Sequence, residues 1–472
     1  MERQVTAMSK ITSFYKLLNN NVKKHPDKMA ILYDTYDVSY ENFLDDCIKK
    51  ANHLKKFPGK RISLYGPASY RWIVNLFGII MSGKDAVLLD FFLPHSEREK
   101  LLERVNTDYV LTSTNQYILA DNNAIMIPGA EKEEGNTEWD VDEACGEGNI
   151  LMFTATSKES DKAVVLTTKN LLNTANAISS HCMCEPEDRV LVQISLHHIF
   201  GLVYGLLWPL TCGACVCVGR GLRHIDADTH YYNPTILPGT PSMVEYLKKV
   251  KALNKELTTV IIGGASCSFR LFEYLKDRDL RVYTIYGMTE CSGCIAINKD
   301  MDGSYDIYEG TTVKIAKDGE LLISGPCVMA GYDNDKAATD AVVQDKVFHT
   351  GDYGHFNSHG RLILDRRNPD ILHLSTGEKI CSKVINDEIT AISGIAESYL
   401  TIYGDKLTTL VVPIDKKARY ESIKKKIDKY NEHKGYRWEI QKLVVLDRPI
   451  PRLANYEIDI QAIGEILDEK VS

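Results

Sequence analysis

The sequence predicts an α/β protein with a smaller α+β domain at its C-terminal end. Three observations carry this. Apolar strand-like runs alternate with helix-like segments up to about residue 290, which is the pattern of βαβ units in mainly parallel sheets. From about residue 311 short strands are separated by Gly and Asp turns, the texture of a more antiparallel section. The charged, Pro-containing stretch DRRNPD (365–370) then precedes residues 371–472, which have an α+β pattern of their own, so it reads as a hinge.

The elements follow in order. Residues 11–56 read as helix in two pieces, and the second, Ser39–Lys56, has a polar start and apolar recurrence at three-to-four spacing. ISLYG (62–66) is a strand, SYRWIVNLFGIIMSG (69–83) a helix, and AVLLD (86–90), YVLTS (109–113) and AIMIP (124–128) are further strands. AVVLT, RVLVQIS, ACVCVG, PTILPG, TTVIIGG and RVYTIYG continue the series. TVKIA, ELLISG and RLILD form the antiparallel section; ESYLTIYG and TTLVVPI are strands, and RYESIKKKIDKYNEHK a charged helix, of the last domain. In such sheets ligands sit in loops at the carboxyl ends of the strands.

A net charge of −8 argues against general nucleic-acid binding, because affinity there comes mainly from neutralised phosphates. It leaves room for a small anion in a local basic pocket. The first residues, MERQVTAMSKITSFYKLLNNNVKKHPDK, lack an apolar core of signal-peptide length. The expected location is therefore the cytoplasm, with the twelve cysteines reduced. Ile199–Gly219 is uncharged and long enough to span a bilayer. Pro209 and Gly201, Gly205, Gly213 and Gly219 cut it up, so it reads as a buried helix to about Trp208, a Pro-Thr-Cys-Gly turn and a buried strand. Cys212, Cys215 and Cys217, and Cys291 with Cys294, raise a metal reading. Small thiols in an apolar strand pack as hydrophobes, and no partner pair lies nearby at finger-like spacing.

Four strand-end loops offer chemistry. TATSKESDK (154–162) holds hydroxyls at Thr154, Thr156 and Ser157 and ends on Lys162, yet has none of the glycines that bare backbone for an anion. IIGGASCS (261–268) brings Gly263, Gly264 and Ala265 to a strand end. IYGMTECSG (285–293) combines a ring at Tyr286, the flexible Gly287, a hydroxyl at Thr289 and a carboxylate at Glu290. These are a stacking face, a phosphate donor and a hard oxygen ligand for Mg²⁺. In FHTGDYG (348–354), Asp352 follows a Gly turn and suits the two hydroxyls of a ribose.

The order and spacing of these loops resemble the adenylate-forming superfamily, which comprises acyl- and aryl-CoA synthetases, the adenylation domains of peptide synthetases, and luciferases. YGMTE matches its Tyr-Gly-x-Thr-Glu signature and HTGD its Thr-Gly-Asp. GELLISGPCVMAGY (319–332) matches the block between them, LHHIFGL (196–202) the His-x-Phe-Gly block, SYENFLDD an early block, and Arg367 with Asp370 the hinge Arg-x-x-Asp. STGEKICS (375–382) fits the loop after the hinge. The resemblance covers nearly the whole chain. It implies a large N-terminal part, residues 1–366, of two α/β subdomains plus a β-rich subdomain. A hinge at 367–370 and a small mobile α+β C-terminal domain, 371–472, would follow.

The resemblance also implies ATP-dependent conversion of a carboxylic acid to an acyl adenylate, then thioester formation on coenzyme A or on a phosphopantetheine thiol. Glu290 would hold Mg²⁺ and Thr289 the α-phosphate. Tyr286 and Gly264, with Ala265 beside it, would flank adenine, and Asp352 and Arg367 would hold the ribose. His198, Phe200, Met288 and Gly287 would line the acyl pocket, while Thr154, Thr156, Ser157 and Lys162 would meet the phosphates. Two departures stand out. The phosphate loop lacks the family's three glycines and proline, and Glu159 puts negative charge in it. The C-terminal catalytic lysine is replaced by Glu457, with Arg452 the nearest cation. Three readings stay open: an acyl- or aryl-CoA ligase, an enzyme loading a carrier protein, and an impaired relative that binds nucleotide or acyl-AMP.

Overall fold

The computed structural model describes residues 11–112, 125–127, 136–139, 146–154, 162–265, 267–300, 302–366, 371–374, 379–415, 420–432, 439–452 and 458–471. The chain divides into two compact units near residue 367.

The first unit is built on two sheets with parallel centres and antiparallel edges. In the larger, the parallel strands run side by side in the order Arg281–Tyr286, Thr259–Ile262, Ile236–Gly239, Arg189–Val192, Cys215–Val218, Met29–Tyr33. Tyr36–Ser39 closes one edge, antiparallel to Met29–Tyr33. On the other side Ala296–Asn298, Ser304–Ile307, Leu362–Arg366, Val347–Phe356, Glu320–Ser324 and Thr312–Ile315 extend it, each antiparallel to the last. The smaller sheet orders Gly331–Tyr332, Lys162–Thr167, Asn149–Thr154, Asp85–Leu88, Arg61–Tyr65, Tyr109–Thr112 and Ile125–Ile127; its first two pairings are antiparallel and the rest parallel.

The parallel strands are apolar on both faces because both faces are covered. Between the sheets lies the main core, where Ile31, Val190, Val216 and Ile261 of one sheet and Ile62, Leu88 and Ile150 of the other pack with Phe14, Phe43, Trp72, Leu171 and Trp208 from helices. The outer faces have cores of their own, against helices Pro241–Lys249 and Phe269–Lys276 on the larger sheet and His95–Arg104 on the smaller. Helix starts follow local chemistry. Ser13, Ser39 and Ser69 each accept from the backbone N–H three residues on, and Thr167 forms a capping box with Asn170, satisfying donors that a helix start leaves without partners.

Three expectations change. The two N-terminal helices, Phe14–Lys24 and Tyr40–Lys55, are separated by the hairpin Met29–Tyr33 and Tyr36–Ser39. AVVLT lies in a strand, Lys162–Thr167, that pairs antiparallel with its predecessor, Asn149–Thr154, and not parallel as in a βαβ unit. The apolar stretch after His198 does not break at Pro209: a π-helix, Gly201–Leu207, continues into Trp208–Cys212 and ends at Gly213, with φ 74°. Pro209 lies inside this continuous run, directly after the wide π-turn in which Trp208 N–H reaches Val203 O, a local change of bonding that accommodates the N–H a proline lacks. Among the described residues no helix is long and apolar enough to cross a membrane.

The second unit is a three-stranded sheet, Ile395–Tyr403 antiparallel to Lys406–Pro413, which is parallel to Lys442–Val445. Helices Ser382–Thr390 and Tyr420–Glu432 cover one face through Ile385, Ile389, Ile423 and Ile427. Helix Ile460–Val471 covers the other through Ile463, Ile466 and Leu467. A two-stranded ribbon, Ile371–His373 with Lys379–Cys381, precedes them.

Candidate active site

Adjacent parallel strands of the larger sheet end together. Ile262 pairs with Thr284, so the Gly263–Gly264 turn and Tyr286 leave the sheet side by side. Gly264 has φ +83°, a backbone that side chains rarely adopt. Gly263 is small for a different reason: a Cβ there would lie 2.8 Å from Ile285 Cδ1 and 3.0 Å from Phe200 Cε1. Its lack of a side chain leaves room for Ile285 and Phe200 beneath the turn. After Tyr286 the chain folds tightly on itself. A Cβ on Gly287 would collide with the Gly293 carbonyl oxygen and lie 2.5 Å from Cys294 Cα. Thr289–Cys291 forms a single 3₁₀ turn, closed by Ser292 at φ 56°. The Met288 carbonyl accepts from Cys291 N–H at 3.1 Å and Gly293 N–H at 2.9 Å.

Two polar groupings sit on this frame. In the first, the hydroxyl of buried Tyr286 donates to Asp352 Oδ2 at 2.7 Å. Gly351, with φ +70°, turns the strand, its N–H donates to Glu320 Oε1 at 2.8 Å, and Asp352 N–H donates to Thr350 Oγ1 at 3.0 Å. The ring read as an adenine platform and the carboxylate read as a ribose acceptor are thus joined before any ligand binds.

In the second, Glu290 is 5% exposed and its Oε1 accepts from the Tyr332 hydroxyl at 3.1 Å. Burial and the Glu290 charge push the Tyr332 hydroxyl far above its ordinary range, so it remains a donor. Lys162 Nζ lies 4.6 Å from the centre of the Tyr332 ring, a cation–π distance. Register explains the meeting. Thr154 pairs with Lys162, and Val164 with both Met152 and Tyr332, so Thr154, Lys162 and Tyr332 face the same side of the smaller sheet. Next to Tyr332, Asp333 receives both guanidinium nitrogens of Arg61, at 3.0 and 2.8 Å.

These groups fit a nucleotide with its Mg²⁺. A carboxylate withdrawn from water is a hard ligand for the ion. Thr154 Oγ1 is buried and has no hydrogen-bond partner among the described residues, which suits a phosphate oxygen.

The acyl-pocket candidates come from the chain before the π-helix. Phe200 is 8% exposed, meets Tyr204 edge-on at 5.3 Å and reaches Gly263. Neighbouring Ile199 reaches Gly293, so this segment braces both ligand loops. The His198 ring is 4.4 Å from that of His197, whose Nε2 is 3.7 Å from Asp90 Oδ1. Met288 belongs to the main core and is 6% exposed. Ala265 is half-buried beside Gly264.

Thr156, Ser157, Glu159, Arg367 and Glu457 lie outside the described residues. Arg452 lies in the second unit, where its Nη2 is 3.7 Å from Glu397 Oε2. Tyr332, Arg61 and Asp333 were not foreseen as site residues. Tyr332 closes the GELLISGPCVMAGY block, whose pattern gives its ring no role.

The fold and these strand-end groups define a class, the adenylate-forming enzymes. The model of the AMP-binding enzyme family matches residues 18–333, and the chain belongs to that family. Curated relatives include the 2-succinylbenzoate–CoA ligase of Listeria monocytogenes, 25% identical over 404 residues, covering 80% of this chain and 84% of that protein. Another is the Mycobacterium tuberculosis 3-[(3aS,4S,7aS)-7a-methyl-1,5-dioxo-octahydro-1H-inden-4-yl]propanoyl:CoA ligase, 24% identical over 436 residues, covering 81% and 84%. Among solved structures, a double mutant of o-succinylbenzoate CoA synthetase from Bacillus subtilis, bound with a product analogue, aligns with a TM-score of 0.78 at 19% identity, covering 95% of this chain and 98% of that one. A malonyl-CoA ligase with methylmalonyl-CoA and AMP bound aligns at 0.75 and 20% identity, covering 90% and 97%.

Proposed function

We propose that this chain uses ATP to activate a carboxylic acid as its adenylate and then transfers the acyl group to the thiol of coenzyme A. The observation that carries the reading is the pair of groupings already assembled at the strand ends, Tyr286 with Asp352 and Glu290 with Tyr332 and Lys162. The names of the curated relatives support coenzyme A as the thiol.

In the first step a carboxylate oxygen bonds to the α-phosphorus and the bond to pyrophosphate breaks. Negative charge gathers on phosphate oxygens, so cations and donors supply the rate. Mg²⁺ held by Glu290 would neutralise part of that charge. Lys162 and the hydroxyls of Thr154, Thr156 and Ser157 meet the phosphates, and Thr289 donates to the α-phosphate. Tyr286, Gly264 and Ala265 hold the base, Asp352 and Arg367 the ribose. Gly287, His198, Phe200 and Met288 wall the acid. In the second step the thiol sulfur bonds to the acyl carbon and AMP departs; residues 371–472, moving about 367–370, would exchange the two chemistries. Arg452 is the cation this domain offers where a lysine is lacking.

A second reading, a chain that binds nucleotide or acyl-AMP but forms the adenylate slowly, is favoured by Glu457 and the glycine-free loop. Losing one charge contact of this kind costs about a hundred- to a thousand-fold in rate. ATP–pyrophosphate exchange over a panel of acids that begins with 2-succinylbenzoate tests the first reading. Acid-dependent exchange is expected, with a rise on Glu457→Lys. No exchange with any acid, alongside measurable AMP binding, overturns it in favour of the second. Coenzyme A against a phosphopantetheinylated carrier in a thioester-formation assay decides the acceptor.

A further inference from the structure

Two buried hydroxyls meet beneath the candidate site. Tyr204 lies in the π-helix Gly201–Leu207, and Tyr308 directly follows the strand Ser304–Ile307. Their hydroxyl oxygens are 2.6 Å apart, one donating to the other, and the side chains are 0% and 1% exposed. The contact joins positions 104 residues apart in the chain. Each hydroxyl satisfies the other in a place where a polar group without a partner is costly.

Both ends of the contact lead to the ligand loops. The Tyr204 ring meets Phe200 edge-on at 5.3 Å and Trp208 edge-on at 5.8 Å. Phe200 fills the space beneath Gly263, while Ile199 and Val203 fill the space beneath Gly293. From the other end, Tyr308 N–H donates to the Ile295 carbonyl at 2.9 Å, and Ile295 N–H donates to the Tyr286 carbonyl at 3.0 Å. The hydroxyl pair therefore ties the wall segment to the loop that follows Tyr286. The nucleotide side has anchors of its own, since Tyr286 pairs with Ala296 in the sheet and its hydroxyl is bonded to Asp352. The wall segment has fewer: residues 193–198, which lead into it, belong to no helix or strand. Apolar packing alone would fill this volume equally well with phenylalanine at both positions. What the hydroxyls add is direction, which fixes the Tyr204 ring and with it the π-turn, a rare geometry that recurs at functional sites.

We infer that Tyr204 and Tyr308 are positioning residues for the carboxylic acid: their hydroxyl bond holds Ile199 and Phe200 in place as the wall of the acid pocket. The inference rests on the activity proposed above. Neither hydroxyl touches the acid; both act through the Phe200 ring and the backbone of the π-turn. Loss of the bond should therefore weaken the use of the acid and leave the use of MgATP nearly as it was.

The test compares Tyr204→Phe, Tyr308→Phe and the double variant in the full chain. Each single variant leaves one buried hydroxyl without a partner and lowers the melting temperature; the double variant removes both hydroxyls, keeps both rings, and brings the melting temperature back toward wild type. Two readings are then taken on the double variant. Without ligand, hydrogen–deuterium exchange of residues 199–207 is expected to be about tenfold faster than in wild type, the factor for one lost hydrogen bond. In ATP–pyrophosphate exchange with the best acid of the panel, KM for the acid is expected to rise about fivefold or more while KM for MgATP stays within about twofold. A merely structural pair would let both readings recover with the melting temperature. Unchanged deuterium exchange at 199–207 in the double variant overturns the inference, and so does an acid KM that returns to the wild-type value. Failure of the proposed activity shows separately, as a wild type with no exchange on any acid, and the deuterium reading then decides the tether alone.

Discussion

Replacing Tyr332 with Phe isolates one bond. The ring is 7% exposed, and Phe keeps both its packing and its face beneath Lys162 Nζ. Only the hydroxyl donor to Glu290 is lost. A hydrogen bond to a charged group is worth about 1.5–3 kcal/mol, and each 1.4 kcal/mol is a factor of about ten. If Tyr332 orients Glu290 for Mg²⁺, kcat/KM for MgATP in ATP–pyrophosphate exchange falls about 10- to 100-fold, and MgATP affinity by calorimetry falls with it. Tyr332→Leu also removes the ring under Lys162, for a further loss of about 0.5–2 kcal/mol. Thermal melts separate folding from function, since Glu290 is itself buried and a lost partner also lowers stability. A Tyr332→Phe protein with a lower melting temperature but wild-type MgATP affinity and exchange would refute the reasoning: the hydroxyl would then serve the fold alone.

The other perturbations test neighbouring parts of the argument. Gly287→Ala drives a Cβ into the Gly293–Cys294 backbone, and backbone on that side cannot yield as a side chain does; a stability loss of about 1–3 kcal/mol or more is expected in urea unfolding. Glu147 accepts the N–H groups of Phe14 and Tyr15 at 2.8 and 3.0 Å, and burial, opposed by those bonds, raises its carboxyl from 4.5 to about 7. Because the folded pKa is the higher one, its contribution to stability is complete below pH 4.5 and is lost as pH rises through 7. Wild type should therefore lose up to about 3 kcal/mol across that window relative to Glu147→Gln, less where water reaches the carboxyl, and parallel melting curves against pH would contradict the assignment. Arg61→Met leaves Asp333, whose side chain is 9% exposed, without its bidentate partner. A loss of about 2–3 kcal/mol is expected, mostly recovered when Asp333→Asn is added, as a double-mutant cycle would show.

Local chemistry made much of the fold legible. Parallel strands covered on both faces must be apolar runs, and AVLLD, ACVCVG and TTVIIGG are such runs. Ser39 announces a helix because its hydroxyl accepts from Asn42 N–H three residues on. The hairpin at Met29–Ser39 was hidden because its outer strand is half exposed and polar, so neither a buried run nor a long alternation marks it. Pro209 misled because a proline is read as a break, whereas the π-turn ahead of it changes the bonding of the helix where the proline N–H is missing.

The site divides along the same line. Tyr286, Glu290, Asp352 and Lys162 were visible because their chemistry falls in short loops after apolar strands, where order and spacing are features of the chain itself. That Tyr286 holds Asp352 across 66 residues, that Tyr332 holds Glu290 across 42, and that Arg61 clamps Asp333 across 272 are matters of sheet register and strand order. The sequence by itself determined which residue types stand at the strand ends, since helix caps, turns and buried strands are written in neighbouring residues. Only the tertiary structure decided which of those side chains share a hydrogen bond, because distant pairing is set by how the sheets align and not by any local preference.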